Sequence, residues 1–560
     1  MIVNDAIASI GSNASVDAKR NMLLDANQDY VVVQAGVGAA VAKSTSGAGT
    51  VGVLVQTNNT KSLIGEGAKI NQTYKDDKAD ENQTVSLNAK NKNVIVKGLG
   101  ALGIQAGGQG ASGKAVGGTV DTNVIVNNAT AEIQGTAANK AVVNATKDVN
   151  LTAENKNKII NADVAGAAAM QGTAASGLVS SNIVINETSS GIKNANITAG
   201  ENVNLTADAD FSEVAVAGAV SIGNQNAYGA TLRVDVISDN VNSIIEGSTV
   251  TADNLSSQNI NDMHAVSVLA SGAASNNGNA AVGAVGIIVD HSTQNNYASG
   301  SNFTLTSGLL DYNTTHKNNL TAVTGNVALG NAGSSLGGSL FAFAADNNIN
   351  TYLKNTEVSA KAASVNSSAV DDIYAITAGG SLSAGSSAYQ GAISLLVNTG
   401  TVQSYVDGGS VTTTGSANEK SPGIKISADK NIKNRQYNGQ VSGSLSENAV
   451  GGAVTTTINT NTVKAYANNT KLSAEKGTEV AAKSIKFVES TPVGVSAGTG
   501  VAVQGSVDTT VLTDDVFAYI SGSEISSDVN IYANNDTTVK TILGGAAVSG
   551  KGAVGAAVYT

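Results

Sequence analysis

Apolar and polar residues alternate along much of this chain, most clearly between positions 450 and 458. Val450, Val454 and Ile458 share one parity in this segment, whereas Thr455 and Thr457 have the other. A period of two is typical of a β-strand. We therefore predict a strand whose valines and isoleucine face the core and whose threonines face solvent.

The same pattern returns along the whole sequence. Gly452, Val454 and Tyr466 have equivalents 53 residues later. A glycine that opens the alternating strand recurs at intervals of 50 to 66 residues, at Gly52, Gly118, Gly177, Gly229, Gly283, Gly338, Gly391, Gly452, Gly505 and Gly555. A period in this range indicates a solenoid, a propeller or an array. We predict an all-β solenoid of about ten repeats, each of roughly 50–60 residues.

The repeats leave no obvious domain boundary, so residues 1–560 are predicted to form a single repetitive β-solenoid body. Both ends of the sequence fall inside a repeat, and we expect a fragment of a longer protein. The sequence leaves the number of coils per repeat open. With two or three coils in each repeat, ten repeats would form a rod of roughly 100–140 Å.

Composition limits the classes of function. Apolar residues make up 41 % of the chain, aromatic residues only 4 %, and Gly accounts for 62 positions, so a thin core between sheets is expected. Cysteine is absent, which excludes disulfides and thiolate metal sites. The net charge of −11 disfavours nucleic-acid binding, which requires clustered cations. No apolar run of transmembrane length occurs.

Two glycine-rich motifs match the signatures of unrelated sites. Gly108–Gly113 fits the dinucleotide pattern G-x-G-x-x-G, and with Lys114 also the P-loop pattern, but Ala115 stands where a P-loop needs Ser or Thr. Gly333–Gly337 fits the nucleophile elbow around Ser335. Both motifs require a following helix, and the sequence offers strands. We interpret both segments as turns.

The ionisable residues offer little for catalysis or metal binding. His264, His291 and His316 are about half a repeat apart; they could stack as a metal site, but we favour exposed corner positions because no H-x-x-x-H spacing occurs. The acidic pairs Asp76–Asp77, Asp371–Asp372 and Asp514–Asp515 are interpreted as solvated turns. We predict no catalytic residue, no metal site and no cofactor.

Two stretches depart from the repeat length and are predicted to be surface loops. Lys75–Glu81 is charged, and Asn418–Arg435 is rich in lysine. Because loops on a rigid scaffold often carry function, the second stretch is a predicted ligand-contact loop, although a solvated insertion is the simpler interpretation. Its cations are Lys420, Lys425, Lys430, Lys433 and Arg435.

The repeats combine A-x-x-x-A-V-G-G-A-V, N-x-V-x-A-Y-I, S-x-V-x-A and V-x-I-x-A, best seen at Ala449–Ala474 and Val501–Ser527. Repeats of this kind resemble those of large filamentous adhesins of Gram-negative-type bacteria, including leukotoxin-family adhesins and haemagglutinin-like exoproteins. The resemblance covers nearly the whole chain, but its motifs are degenerate and concern architecture more than any ligand.

The resemblance implies a right-handed parallel β-solenoid passenger, secreted to the bacterial cell surface by an autotransporter or two-partner route and used in attachment or biofilm. It also implies a separate transporter or barrel partner, and host-cell or matrix glycans or proteins as ligands. Two alternatives stay open. One is a β-helical polysaccharide-degrading enzyme or tailspike, and the other is a spacer without a ligand.

Overall fold

The computed structural model describes residues 1–75, 78–107, 113–306 and 308–560, and these ranges contain no α-helix. The strands, numbered in chain order, are β1 (Ile2–Ile10), β2 (Ser15–Val16), β3 (Met22–Ala42), β4 (Thr45–Ile64), β5 (Lys69–Ile70), β6 (Val85–Gln105), β7 (Lys114–Gln134), β8 (Ala141–Ala145), β9 (Asp148–Ala169), β10 (Thr173–Lys193), β11 (Ala195–Ala199), β12 (Asn202–Gly223), β13 (Asn226–Glu246), β14 (Thr249–Ala252), β15 (Asn254–Ser275), β16 (Ala280–Ser299), β17 (Asn302–Leu305), β18 (Leu309–Gly330), β19 (Ser335–Ala360), β20 (Ala362–Ser383), β21 (Ala388–Thr413), β22 (Ile424–Ser444), β23 (Ala449–Asn468), β24 (Lys471–Ala474), β25 (Thr478–Gly498), β26 (Val501–Ser521), β27 (Glu524–Ser526), β28 (Val529–Thr541), β29 (Gly544–Ser549) and β30 (Gly552–Tyr559).

The strands form two long parallel sheets that face each other. Sheet one contains the long strands β1, β4, β7, β10, β13, β16, β19, β21, β23, β26 and β30, together with the short strands. Sheet two contains β3, β6, β9, β12, β15, β18, β20, β22, β25, β28 and β29. The chain alternates between the sheets, and each strand pairs with its equivalent in the next repeat. This is a parallel β-solenoid, which confirms the predicted fold class.

Each repeat makes one coil. Thr173 pairs with Asn226, and Ala388 pairs with Ala449, so equivalent residues 53 and 61 positions apart are direct neighbours. We number the coils 1 to 10 by their sheet-two strands, from β3 to β28–β29. At about 4.8 Å per coil the stack is roughly 50 Å tall, and a strand of 21 residues spans about 70 Å. The rod of 100–140 Å is therefore wrong; the molecule is a broad slab.

The repeat registration is confirmed with three adjustments. Seven of the ten marker glycines lie in one row across sheet one, and the row is completed by Gly49, Ala230 and Ala556 instead of Gly52, Gly229 and Gly555. The apolar residues of the short strands also stack in one row, at Ile197, Val250, Phe303, Val358, Val411, Leu472 and Ile525.

In most coils, a residue with left-handed backbone conformation stands at the corner between the long strand of sheet one and the following short strand. Asn194, Asn355 and Asn469 have φ of 47–48°, and Gly247 and Gly300 have φ of 56° at the equivalent position. Only Gly, and to a lesser degree Asn, adopts this conformation at low cost, which explains the polar corner of the sequence. The corner inserts a third wall between the sheets along what we call the short-strand edge.

The larger apolar cluster fills this short-strand edge, and a second one, with Ile159, Phe211 and Phe341, lies between the middle parts of the long strands. Three walls meet at the short-strand edge, and side chains such as Ile133, Leu205, Ile245 and Leu472 are completely buried between them. At the opposite edge, which we call the turn edge, a Gly/Ser/Asn turn leads directly from sheet two to sheet one. The backbones of the two sheets approach closely near this edge: a Cβ on Gly117 of sheet one would lie 2.0 Å from the carbonyl oxygen of Gly166 in sheet two.

The inward face of β23 is opposite to the predicted one. Thr455 and Thr457 are buried, whereas Val450, Val454 and Ile458 lie on the outer face. Thr455 Oγ1 lies 2.6 Å from Asp508 Oδ1 and 2.8 Å from Ser490 Oγ. The polar residues can lie inside because they find hydrogen-bond partners on the neighbouring coil and across the sheets.

Candidate functional site

The outer face of sheet one carries a continuous stack of tyrosines. Because equivalent residues of successive coils are neighbours, one tyrosine per coil builds a ladder along the solenoid axis. Successive ring centroids are 4.6 to 5.0 Å apart and the ring planes differ by 2–5°. The members are Tyr297, Tyr352, Tyr405, Tyr466 and Tyr519. The faces of the inner rings cover one another, so solvent meets ring edges and hydroxyls.

An amide ladder runs beside the tyrosines, two residues earlier in each strand. Asn295 Nδ2 donates to Asn242 Oδ1 at 3.1 Å, Asn350 Nδ2 donates to Asn295 Oδ1 at 3.0 Å, and Gln403 Nε2 donates to Asn350 Oδ1 at 2.8 Å. We call the two ladders together the tyrosine–amide stripe. An amide and a tyrosine stand together at three successive coils, whereas Lys464 and Phe517 hold the amide position beside Tyr466 and Tyr519.

Partial burial raises the pKa of four tyrosines of the stripe, Tyr297, Tyr352, Tyr405 and Tyr466, whose hydroxyls stay protonated at neutral pH. Partial burial raises the pKa of Tyr405 and raises that of Tyr466 to about 12. Burial raises the pKa of Tyr297 as well, and its hydroxyl donates to Glu246 Oε1 at 2.7 Å. The stripe is therefore a row of neutral donors and acceptors, suited to hydrogen bonding and not to proton transfer. The alternation of the sequence contains these tyrosines, but their common register appears only when the coils are aligned.

The predicted ligand-contact loop is mostly a strand. Only Lys420 lies in a turn; residues 424–435 belong to β22, which corrects the prediction of a loop up to Arg435. Lys430 is 2 % exposed, and its Nζ lies 2.5 Å from Asp371 Oδ2 inside the solenoid. It has the inward parity of its strand, and so it is closed off from an external ligand.

The remaining cations lie on the outer face of sheet two. Lys425 Nζ lies 4.0 Å from Glu479, and Lys433 Nζ lies 3.8 Å from Asp372. The Arg435 guanidinium also pairs with Asp372 and lies 5.2 Å from the centroid of the Tyr374 ring. These ion pairs reduce the charge available for an anionic ligand. Ligand contact by Lys420, Lys425, Lys433 and Arg435 stays a prediction.

The other unusual stretch, Lys75–Glu81, lies between β5 and β6, and its described residues belong to no strand. Asp76 and Asp77 lie outside the described residues, and so do residues 108–112 of the Gly108–Gly113 motif. Ser335 of the elbow-like motif begins β19 and is buried. A strand follows it where an elbow requires a helix, as expected for a chance match.

The three histidines do not stack. His264 and His291 lie on the outer faces of β15 and β16, whereas His316 has the inward parity of β18 and is 1 % exposed, so the prediction of exposed corners is wrong for His316. Its Nε2 lies 3.8 Å from Asp290 Oδ2 and 4.0 Å from Asp371 Oδ1, and its Nδ1 is 3.1 Å from Gln294 Nε2.

Burial lowers the pKa of His316, although the neighbouring carboxylates oppose this effect, so the ring is neutral at neutral pH. The cluster resembles an acid–base site in composition, but its side chains lie inside the slab, away from any substrate. Asp371 and Asp514 of the acidic pairs point inwards as well, and Asp514 meets Lys486 at 3.0 Å, which corrects their prediction as solvated turns.

The interior contains further ion pairs that the sequence analysis missed. Arg233 is completely buried; its Nε lies 2.7 Å from Asp235 Oδ2, and its guanidinium also pairs with Glu213. Lys97 Nζ meets Asp121 Oδ1 at 2.5 Å. Their burial could have been predicted from parity, because each of these residues alternates in phase with the buried residues of its strand.

Comparison of the chain with protein-family models, curated proteins and solved structures found no match. The described ranges contain no group of three or more His, Cys, Asp or Glu side chains that could hold a metal ion. The same ranges contain no helix that is long and apolar enough to cross a membrane.

Proposed function

We propose that this chain is part of the adhesive passenger of a secreted bacterial surface protein and that it presents the tyrosine–amide stripe to a polymeric ligand. The observation that carries the proposal is the stripe itself, in which a tyrosine hydroxyl recurs over five coils and an amide accompanies it over three of them. A ligand that repeats its own hydrogen-bonding groups can make many weak contacts at once, and linked contacts increase avidity.

The geometry favours a binding face over a spacer. A repeat of 53 residues adds about 4.8 Å to the height of the stack, whereas the same residues in a helix would extend about 80 Å. The fold therefore uses its residues to build broad flat faces and gains little reach. A stiff stalk is compatible with this fold when many coils are stacked, but reach alone does not explain it.

Polysaccharides of a matrix or host surface are the ligand class that this chemistry fits best. Hydroxyl and amide groups recognise sugar hydroxyls by hydrogen bonding, and the covered ring faces leave only edges for contact. The net charge of −11 disfavours strongly acidic polymers. A neutral glycan is therefore the preferred ligand, and export to the cell surface with the help of a transporter follows from the resemblance described above.

The test is a binding measurement with immobilised neutral and acidic polysaccharides. Tyr352→Phe/Tyr405→Phe/Tyr466→Phe removes three hydroxyls and preserves the ring stack, and we expect binding to neutral polymer to fall by about tenfold, since each lost hydrogen bond contributes about 0.5 kcal/mol. Tyr374→Phe/Tyr437→Phe on sheet two is the matched control. Equal binding by both variants would remove the stripe from the proposal.

The enzyme alternative makes a different prediction for the same samples. A polysaccharide-degrading enzyme needs carboxylates that reach the substrate, and Asp290, Asp371 and Asp514 are buried. Release of reducing ends or unsaturated products from the bound polymer would favour this alternative. Absence of binding by the unmodified chain to every polymer tested would favour the ligand-free spacer.

A further inference from the structure

The outer face of sheet two is apolar along its turn-edge half. Three neighbouring rows cross coils 1 to 10, and their thirty positions hold only Gly, Ala, Val, Leu and Ile. We call this surface the blade face. Row a is Val37, Gly100, Val164, Gly218, Ala270, Gly325, Ala378, Gly439, Val493 and Gly544. Row b is Ala39, Leu102, Gly166, Val220, Gly272, Val327, Gly380, Val441, Val495 and Ala546. Row c is Val41, Ile104, Ala168, Ile222, Ala274, Leu329, Leu382, Gly443, Ala497 and Val548.

The large residues of the blade face are strongly exposed. Val220, Ile222 and Val327 are 50–56 % exposed, and two shallow apolar grooves of 870 and 960 Å³ run between the rows. The other half of the same face is polar in the same strands, with Ser212 in β12 and Asn319 in β18. The apolar character is thus confined to one half of one face and is not a general property of the surface.

The size of the blade face matches a stable interface. Ten coils at about 4.8 Å and three alternate rows at about 3.3 Å per residue give roughly 800–900 Å². The largest apolar patch of a typical monomer is about 300–600 Å², whereas a stable interface buries about 800 Å² on each partner. The patch is therefore too large for an ordinary free surface and large enough for a partner of comparable size.

In row b of the blade face, large and small residues alternate from coil 2 to coil 8. Coils 4 and 6 carry the large pairs Val220 with Ile222 and Val327 with Leu329, and coil 5 between them carries Gly272 and Ala274. The result is a set of ridges about 9.6 Å apart, which is twice the coil spacing, separated by grooves of the same width. A partner that fits must carry ridges with the same spacing.

A second copy of this chain carries such ridges in the required places. A two-fold axis that lies in the plane of the contact, parallel to the strands and between coils 5 and 6, places coil n opposite coil 11 − n and each row opposite itself. Across coils 3 to 8, five of the seven large residues then face Gly or Ala of the partner, and Ile222 faces Leu382. The five facing pairs are Val327 with Gly272, Val220 with Gly380, Val441 with Gly166, Leu329 with Ala274 and Val164 with Gly439.

We infer that the blade face joins two copies of this chain in a two-fold dimer with antiparallel solenoid axes. A two-fold dimer is a closed assembly: each copy buries its blade face in a single contact, and no further copies can add to form a fibre. Packing of large residues into positions without a side chain brings the two faces to the close distance of stacked sheets.

The first test places charge on the ridges. Val220→Lys/Val327→Lys puts four lysines into the dimer contact, and Ser212→Lys/Asn319→Lys puts the same charges into the polar half of the same two strands. Sedimentation equilibrium should give two chains per particle for the unmodified protein and for the control. We expect the ridge variant to be monomeric, with dimerisation weakened by about 100-fold or more because the lysines are desolvated without partners. Unchanged circular dichroism checks its fold.

The second test exchanges a ridge and a groove without adding charge. Gly380 has open space where a side chain would begin, so a valine fits there in the monomer. Gly380→Val alone should oppose Val220 of the other copy and weaken the dimer by about tenfold or more, since overpacking costs about 1–3 kcal/mol. Adding Val220→Gly moves the ridge to the other side of the contact and should restore dimerisation.

Several outcomes would overturn the inference. A chain that stays monomeric at its highest soluble concentration would do so, and so would a dimer that survives the lysine variant. Failure of the exchange to restore dimerisation would exclude this two-fold arrangement. A monomer that binds phosphatidylcholine vesicles through Val220 and Val327 would assign the blade face to a lipid surface instead.

Discussion

The two edges of the solenoid distribute apolar residues in opposite ways. At the short-strand edge, Leu205 and Leu472 lie in a core enclosed by three walls. Towards the turn edge, the interior contains ions, amides, glycine and alanine, while Val220 and Val327 lie outside. Each strand of the slab takes part in both arrangements. Each long strand thus places its large apolar residues inside near the short-strand edge and outside near the turn edge.

The difference follows from the distance between the sheets. A third wall holds the sheets apart at one edge, and the space is filled by large aliphatic side chains. A direct turn holds them together at the other edge, where the inward positions next to the turn hold mostly Gly, Ala and Ser. Between the edges, amides bridge the sheets: Asn58 Nδ2 donates to Asn93 Oδ1 at 3.0 Å, and Asn127 Nδ2 donates to Asn157 Oδ1 at 2.8 Å. Burial of polar groups is tolerated there because they pair with one another.

The sharpest way to break this comparison is to remove a buried ion. Arg233→Met leaves Glu213 and Asp235 buried without their cation, and we expect a loss of about 3–5 kcal/mol in the stability of the surrounding coils. Hydrogen exchange of β10, β12 and β13 measures it. Arg435→Met breaks a partly exposed pair and should cost about 1 kcal/mol or less. Equal losses would mean that the interior ions are hydrated.

A second change compares the two kinds of apolar residue. Leu472→Ala leaves a cavity at the short-strand edge and should destabilise the protein by about 2–5 kcal/mol. Val454→Ala removes methyl groups from the outer face and should change stability by about 0.5 kcal/mol or less. The denaturant midpoints of the two variants measure these losses of stability. A larger effect at Val454 would place the interior on the valine face.

The interior acids should make stability depend on pH. Burial raises the pKa of Asp239 from 3.8 to about 7, so the folded protein holds a proton that the unfolded chain releases. Asp239 by itself then lowers the free energy of unfolding by about 1.4 kcal/mol per pH unit as pH rises from about 4 to about 7. Thermal unfolding between pH 4 and 8 measures this dependence, and Asp239→Asn should reduce the slope in that window.

Asp371 is the matched case of opposite sign. Burial alone would raise its pKa, but Lys430 and His316 outweigh this effect, and the pKa lies below its usual value. Its stabilising contribution is present above the unfolded pKa of 3.8 and is lost as pH falls through the lower folded value. A substitution of Asp371 should therefore leave the slope of the unfolding free energy against pH unchanged between pH 4 and 7. A flatter slope in this window would contradict the assignment of the pH dependence to Asp239.

The smallest effect is expected from the tyrosine ladder. Tyr405→Leu keeps an apolar side chain but interrupts two ring contacts, at 4.6 and 4.7 Å, and should cost about 1 kcal/mol. Tyr389→Leu, in the same strand but outside the stack, is the control and should be nearly neutral. The difference between their denaturant midpoints measures the contribution of the ladder. No difference would mean that the stack contributes to binding alone.

The sequence predicted the repeat and much of its registration. The offsets of Val454 to Val507 and of Leu472 to Ile525 became direct neighbours in the structure. It did not predict which parity faces inwards, because Thr455 and Asp508 have partners that lie on other strands. It placed Lys430 and Arg435 in a loop because charged residues were taken as solvated, whereas β22 buries the first beside Asp371.

What the sequence by itself determined is the coil: a period of two within strands, a period near 53 between them, and Gly or Asn where φ is positive. These are local properties of the backbone and of one repeat. The tertiary structure alone decided that each repeat makes one coil, that ions and amides lie inside, and that tyrosines and valines form continuous rows outside. Those outcomes depend on the distance between two sheets and on neighbours a whole repeat away, and no single segment carries that information.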